Sequence, residues 1–180
     1  IEKNIVVIAA VGNDEHASIK PPANAPYVIS IGGIDDLNRL DDELFSYHSS
    51  YGATIDGLFK PELVANAVWI AAPILPGTEQ ANEAECLHRA MMLTDEELEH
   101  QWADVQKKCT WILPEASKMD ITFKRKLLTD RIQQTKYFSA KYMHVDGTSF
   151  AAPLASAVAA QMLQANPALD VFSIRKVLFS

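Results

Sequence analysis

Residues 4–11, NIVVIAAV, form an unbroken apolar run of strand length, and residues 27–34, YVISIGGI, form a second. Runs of this kind, rich in Val and Ile, predict central strands covered on both faces. The fifteen residues between them, GNDEHASIKPPANAP, carry breaker residues throughout and predict a loop. Residues 44–46 and 62–65 suit shorter strands. After Pro76 the β-branched runs give way to Glu, Leu, Lys and Gln until about Ser139, which predicts helices. One spans residues 82–92. A second opens with the capping box Thr94/Glu97 and repeats Leu98, Trp102, Val105 and Cys109 at helical spacing. A third covers 121–138, with Leu128, Ile132 and Thr135 along one face. A short strand at 143–145 follows, then a helix over 149–165 ended by Asn166 and Pro167, and a last helix over 171–179. The 149–165 helix is apolar all round and built mostly from Ala, so burial without a solvent face is expected. The pattern predicts an α/β fold: a parallel-rich sheet between helices, with residues 76–140 mostly helical and outside the sheet.

Composition narrows the function classes. With 180 residues, 48% hydrophobic, the chain can bury a full core; roughly 70% of the unfolded surface is lost at this size. Sixteen basic against 23 acidic residues give a formal charge of -7, and the cationic residues gather only at Lys124, Arg125 and Lys126, which reads as a solvated helix face. This argues against a nucleic-acid partner. The longest apolar stretches, 5–12 and 150–163, fall short of the ~20 residues a membrane helix needs, so no membrane partner is expected. The N-terminus lacks a signal peptide and reads as a strand already inside a larger fold. Cys86 and Cys109 allow at most one disulfide and read as packing residues of the helical segment.

Residues 147–163, GTSFAAPLASAVAAQML, carry the chemistry. Pro153 is tolerated if it falls in the first helical turn, where amide donors have no intrahelical acceptor. Ser149 then opens the helix, where free amides and the positive dipole end favour an oxyanion beside its hydroxyl. From this segment alone a plain N-cap and a nucleophile are both open.

Other segments add to it. The run GTSFAAP at 147–153 resembles the nucleophile motif of the subtilases, the subtilisin-like serine peptidases. VVIAAVGN, ending at Asn13, resembles their oxyanion segment. PANAPYVISIGGID, FSYHSSYG and KPELVA resemble, in order, the strands and turn that follow it. The resemblance implies a three-layer α/β/α fold with a mostly parallel sheet and a serine endopeptidase acting through an acyl-enzyme; no cofactor is expected. Ser149 would be the nucleophile, and Asn13 would supply a side-chain amide to the oxyanion hole beside the Ser149 amide. Ala9, Ala10 and Gly12 would line the pocket for the side chain preceding the scissile bond, with Val11 bulkier than usual there. Asp14 and Glu15 would favour a basic side chain in that pocket, or simply be solvated.

The departures matter equally. A serine nucleophile needs a base and an orienting carboxylate. The family takes them from an aspartate after a core strand and a histidine in a His-Gly-Thr context, and neither motif occurs here. None of His16, His48, His88, His100 and His144 precedes Gly-Thr, and His144 suits a packing or surface role. The expectation is therefore the C-terminal half of a peptidase domain, residues 1–75 and 141–180, carrying a helical insertion at 76–140. Asn66 and Ala67 stand where the family has Pro-Gly. The expected partners are a peptide or protein substrate, the missing N-terminal half, and a second copy through unpaired strand edges. The family leans toward secreted, extracytoplasmic proteins. The alternative is a catalytically inactive binding or scaffolding domain on the same fold, supported by the missing Asp and His and opposed by the retention of both Ser149 and Asn13. A lipase-like site would need Gly-x-Ser-x-Gly, which is absent. The Glu85/His88 and Glu97/His100 pairs have di-iron spacing, but the second points away from the apolar face of its helix, and no metal site is expected.

Overall fold

The computed structural model describes residues 3–39 and 43–180; residues 1, 2 and 40–42 of the expected 1–75 segment lie outside the described residues. The elements are, in chain order, β1 (Ile8–Ala10), β2 (Ile29–Asp35), β3 (Phe45–Ser46), β4 (Gly52–Ala53), β5 (Phe59–Lys60), β6 (Leu63–Asn66), β7 (Ile70–Pro73), α1 (Glu79–Met92), α2 (Asp95–Lys108), α3 (Ile121–Thr135), β8 (Tyr142–Val145), α4 (Thr148–Ala165) and α5 (Val171–Leu178). A 3₁₀ turn over Pro114–Lys118 precedes α3. The chain divides into two compact units, one made of the residues up to Ile70 together with Val145–Ser180, the other of Ala71–His144.

In the first unit β2 is central, with β1 parallel to it in the register Ile8 to Ile29 and β6 parallel in the register Ile31 to Leu63. β3 pairs antiparallel at the far end of β2. Strand alternation separates the two faces. Ile29 and Ile31, with partly buried Ile8 and Ala10, pack against Ala151, Ala152 and Ala155 of α4. Ala9 turns the other way, into a small cluster with Ala23 and Val28 of the loop that covers that face. The sheet is thus parallel in its main pairs and α/β in class.

Three expectations change. The 4–11 run is a strand only at Ile8–Ala10; Asn4 has φ 52°, and Ile5 and Val7 are exposed, since an apolar run has no ladder where no neighbouring strand meets it. Helix α4 is not buried all round. Its Ala face lies on the sheet, while Leu154 and Val158 on the opposite stripe are 42% and 47% exposed, because no other described element covers them. Pro153 lies beyond the first turn, since the helix opens at Thr148, so the Ser149 carbonyl has no amide four residues on to accept from.

Lys60 and Glu62 form a buried ion pair on the loop-covered side of the sheet. The Lys60 side chain is fully buried; its Nζ donates to the Val28 carbonyl (2.8 Å) and to the Glu62 carboxylate. The other carboxylate oxygen accepts from the Ser30 amide (2.9 Å) and hydroxyl (2.6 Å). Burial pushes this carboxyl upward, but the hydrogen bonds from Lys60 and Ser30 outweigh it and hold Glu62 below the ordinary glutamate range.

The second unit has a core of its own, in which Leu87 of α1, Leu98 of α2 and Leu128 of α3 are completely buried. Thr94 caps α2 as its sequence indicates: its hydroxyl accepts from the Glu97 amide while the Glu97 carboxylate accepts from the Thr94 amide. Helix α3 stops at Thr135, three residues before the expected end, because Lys136 turns left-handed (φ 59°) and Tyr137 bridges to Met143. β7, which the residue pattern did not single out, pairs with β8. The basic triplet is not a solvated face. Lys124 is buried, paired with Glu99 and set 5.2 Å over the Trp102 ring. Arg125 binds Asp95 and donates to the last carbonyls of α1. Only Lys126 is a surface residue, paired with Asp130.

Cys86 and Cys109 are more than packing residues. They are bonded, joining α1 to the end of α2 across a sequence separation of 23. Closing a loop of that length removes about 3 kcal/mol of chain entropy from the unfolded state. Reduction with dithiothreitol is expected to lower the unfolding free energy of the helical unit by about that amount. Denaturant titration with and without reductant reads it, with the Cys86→Ser/Cys109→Ser double variant as the control that reductant should no longer affect. An unchanged midpoint on reduction would show that the bond contributes nothing. Among the described residues no helix is long and apolar enough to cross a membrane.

Candidate active site

The first unit places the two ends of its chain together. β1 runs into a loop whose first residue, Gly12, has φ 116°, and a Cβ there would meet the Ser50 hydroxyl at 2.7 Å, so only glycine fits. The loop is tied down from one side. The Ser50 amide donates to the Gly12 carbonyl (3.0 Å), the Ser50 hydroxyl to the Asp14 carbonyl (2.7 Å), and the His48 Nδ1–H to the Asn13 carbonyl (2.7 Å). From the other side comes the start of α4, where Gly147 is the N-cap at φ 140°.

Asn13 and Thr148 join these sides. The Asn13 Oδ1 accepts from both the Thr148 amide (2.8 Å) and the Thr148 hydroxyl (2.9 Å), and that hydroxyl in turn accepts from the Gly12 amide (3.2 Å). A backbone amide can only donate, so the carboxamide atom facing it must be oxygen, and the orientation of the side chain is set. The Asn13 NH₂ is consequently turned outward beside Gly147, where a Cβ would sit 3.2 Å from it. Ser149 follows directly, exposed, in the first turn of α4, where its own amide has no intrahelical acceptor. The Asn13 carboxamide and the Ser149 amide and hydroxyl thus sit together at the start of α4.

A cavity of about 370 Å³ adjoins this position, with Asn13, Thr148 and Ser149 in its wall. Ala10 and Gly12 also line it. Ala9 does not, because the period-2 alternation of β1 sends it to the opposite face, against Ala23 and Val28. Of the two acidic residues after Asn13, Asp14 lines the cavity, with its carboxylate accepting the His16 amide (3.0 Å), while Glu15 pairs with His16 outside the lining. Thr148 is the residue that sequence reasoning undervalued. At 1% exposure it is buried as deeply as the core, and a threonine inside an otherwise apolar helix start was the available signal. Among the described residues no group of three His, Cys, Asp or Glu side chains could hold a metal ion, and Glu97 and His100 are both exposed. His144 lies in the helical unit, with its ring 4.5 Å from that of Phe138.

The profile of the subtilase family matches residues 1–180. The chain belongs to the subtilase family. The match to this subtilase profile includes the helical unit. Among similar proteins, the serine protease AprX of Bacillus subtilis is 24% identical over 178 residues, covering 97% of this chain and 29% of AprX. The subtilisin-like proteinase Mp1 of Magnaporthiopsis poae is 34% identical over 86 residues, covering 44% of this chain and 20% of Mp1. The subtilase chain described here thus spans less than a third of the length of either relative.

Proposed function

We propose that this chain is the nucleophile-bearing part of a serine endopeptidase, with Ser149 as nucleophile and with Asn13 and the Ser149 amide as the oxyanion hole. The observation that carries the reading is the Asn13 carboxamide, its oxygen held by Thr148, in the wall of the same cavity that Ser149 lines. In the first step the Ser149 Oγ attacks the peptide carbonyl carbon as a histidine base takes the hydroxyl proton. The carbonyl electron pair moves onto oxygen, where the Asn13 and Ser149 N–H groups stabilise the charge. Collapse of the intermediate expels the amine, which takes the proton back from the histidine, and water then cleaves the ester by the same route. The histidine and its aspartate are supplied by a further part of the same domain, which also completes a three-layer α/β/α architecture. Two features support this: the open Leu154/Val158 stripe of α4, and an apolar cavity of about 680 Å³ bounded by residues 4–8, α4 and α5. By itself the chain is expected to associate through these surfaces and to lack appreciable peptidase activity.

A fluorophosphonate probe tests the assignment. In the full-length protein, carrying a strand that ends in Asp and a helix that opens with His-Gly-Thr, the probe is expected to label Ser149. The Ser149→Ala variant should remain unlabelled with its circular dichroism spectrum intact. Labelling that survives the substitution, or that never appears in the folded full-length protein, would leave an inactive binding domain as the reading.

A further inference from the structure

The cavity beside Ser149 contains a group that neither the fold nor the oxyanion hole uses. Besides Asn13 and Ser149, its lining includes Ala17, Ser18, Lys20 and Pro21 of the loop after β1. Two charged residues face into it, Asp14 and Lys20, and they are not equivalent. The Asp14 carboxylate accepts the His16 amide and shapes its own loop. Lys20 makes no hydrogen bond or ion pair among the described residues, so its ammonium is the charge in the lining without a partner, while Asp14 keeps its negative charge on a carboxylate already engaged with its own loop.

We infer that Lys20 makes this cavity a receptor for an acidic side chain, glutamate in particular, on the substrate residue whose carbonyl Ser149 attacks. The inference rests on the proposed peptidase reading and adds the substrate class. The position follows from connectivity. A carbonyl carbon bonded to the Ser149 Oγ, with its oxygen at Asn13, carries its own Cα one bond away. A cavity sharing those two residues as wall therefore receives the side chain on that Cα. The chemistry follows from the lining. Ala10, Val11 and Pro21 offer apolar surface to methylenes, and the Ser18 hydroxyl and Lys20 ammonium offer donors to a terminal carboxylate. A basic side chain, which Asp14 and Glu15 suggested from sequence, would meet Lys20 as a like charge; Glu15 lies outside the lining and Asp14, within it, is engaged with the His16 amide.

The test uses the full-length protein and peptides identical except at the residue before the scissile bond, which is Glu, Gln or Lys. Glu and Gln have the same shape, so their ratio reads charge alone. The wild type is expected to favour Glu over Gln about five- to tenfold in kcat/KM at low ionic strength. Because Lys20 is exposed, the ratio should shrink toward about two in 1 M salt, where the screening length is about 3 Å. Lys20→Met should bring the ratio to about one, and Lys20→Glu should favour Lys over Gln. The salt dependence of the wild type stands even where a variant fails to fold. A wild-type ratio of one, a ratio that survives Lys20→Met, or a preference that appears only at the residue after the scissile bond would overturn the inference while leaving the nucleophile assignment intact. Failure to hydrolyse any peptide, with Ser149 unlabelled by the fluorophosphonate, would overturn both.

Discussion

Replacing Ser149 by alanine in the full-length protein is expected to lower kcat by about 10⁶, the scale measured in subtilisin, a member of this family, for loss of its nucleophile. Replacing Asn13 by alanine should lower kcat by about 10² to 10³, again the subtilisin scale, with KM nearly unchanged. The difference in pattern is the informative part. On the proposed reading Ser149 forms the covalent bond, whereas Asn13 donates to an oxygen that bears full negative charge only at the tetrahedral stage, so its loss should be felt in the transition state and scarcely in substrate binding. Thr148→Val extends the argument. It removes the hydroxyl that donates to the Asn13 Oδ1 and accepts from the Gly12 amide, but leaves the Thr148 amide bond in place. Its kcat should fall less than that of Asn13→Ala, and Thr148→Ser should restore most of it. Steady-state kinetics on a peptide anilide give both constants. A KM that rises for Asn13→Ala with kcat unchanged would place that residue in ground-state binding and not in an oxyanion hole.

The second large effect lies in the first unit's buried charge. Lys60→Met is expected to destabilise that unit by about 3–5 kcal/mol, because it leaves the Glu62 carboxylate in the interior with only Ser30 and, at 3.9 Å, Arg175. Replacing both partners, Lys60→Met with Glu62→Leu, should cost much less, since no uncompensated charge remains. The pH dependence separates this from a packing defect. In the wild type the folded value of Glu62 is depressed. Its stabilisation is therefore full above the unfolded carboxyl range and is lost as pH falls through the lower folded value. In Lys60→Met the lowering contribution of Lys60 is gone while burial and the Ser30 bonds remain, so the carboxyl lies higher than in the wild type. The deficit against wild type should then be largest near neutral pH and shrink below about pH 4, as the variant's carboxyl protonates more readily. Urea midpoints measured from pH 3 to 7 decide it; a deficit constant across that range would mean lost packing alone.

What could be read from the residues was whatever a single segment dictates. Thr94 and Glu97 hold one another across a single turn, and the capping box is formed as expected. The start of α4 and the breaker-rich loop after Gly12 are similarly local. The failures share a cause: each depends on what lies across space. Leu154 and Val158 look like core residues in any periodicity count, yet nothing among the described elements covers them. Nothing in the residues around Lys60 signals burial, and only the convergence of Glu62 and Val28 makes it interior. Lys124 is misread for the same reason, its neutralising Glu99 being a helix away. Two cysteines 23 residues apart are compatible with bonding or with packing until both helices are placed. The nucleophile motif was legible because its residues are contiguous, whereas the cavity wall at Lys20 belongs to a different stretch of the chain.

The Asn13–Thr148 contact joins residues 135 positions apart, and the Asn4 side chain reaches still farther, accepting from the amide of Val171. Closing a loop of that length is slow and entropically unfavourable, and nothing within it brings the two ends of the site together earlier. On the ribosome, a chain that has emerged only through the helical unit has its Gly12–Asp14 loop without the Thr148 partner of the Asn13 carboxamide. The Asn13 carboxamide and the Ser149 hydroxyl come into register only when α4 docks on the sheet. During synthesis the two sides of this contact can therefore meet only after residues 145–165 have emerged, however long the rest of the chain is.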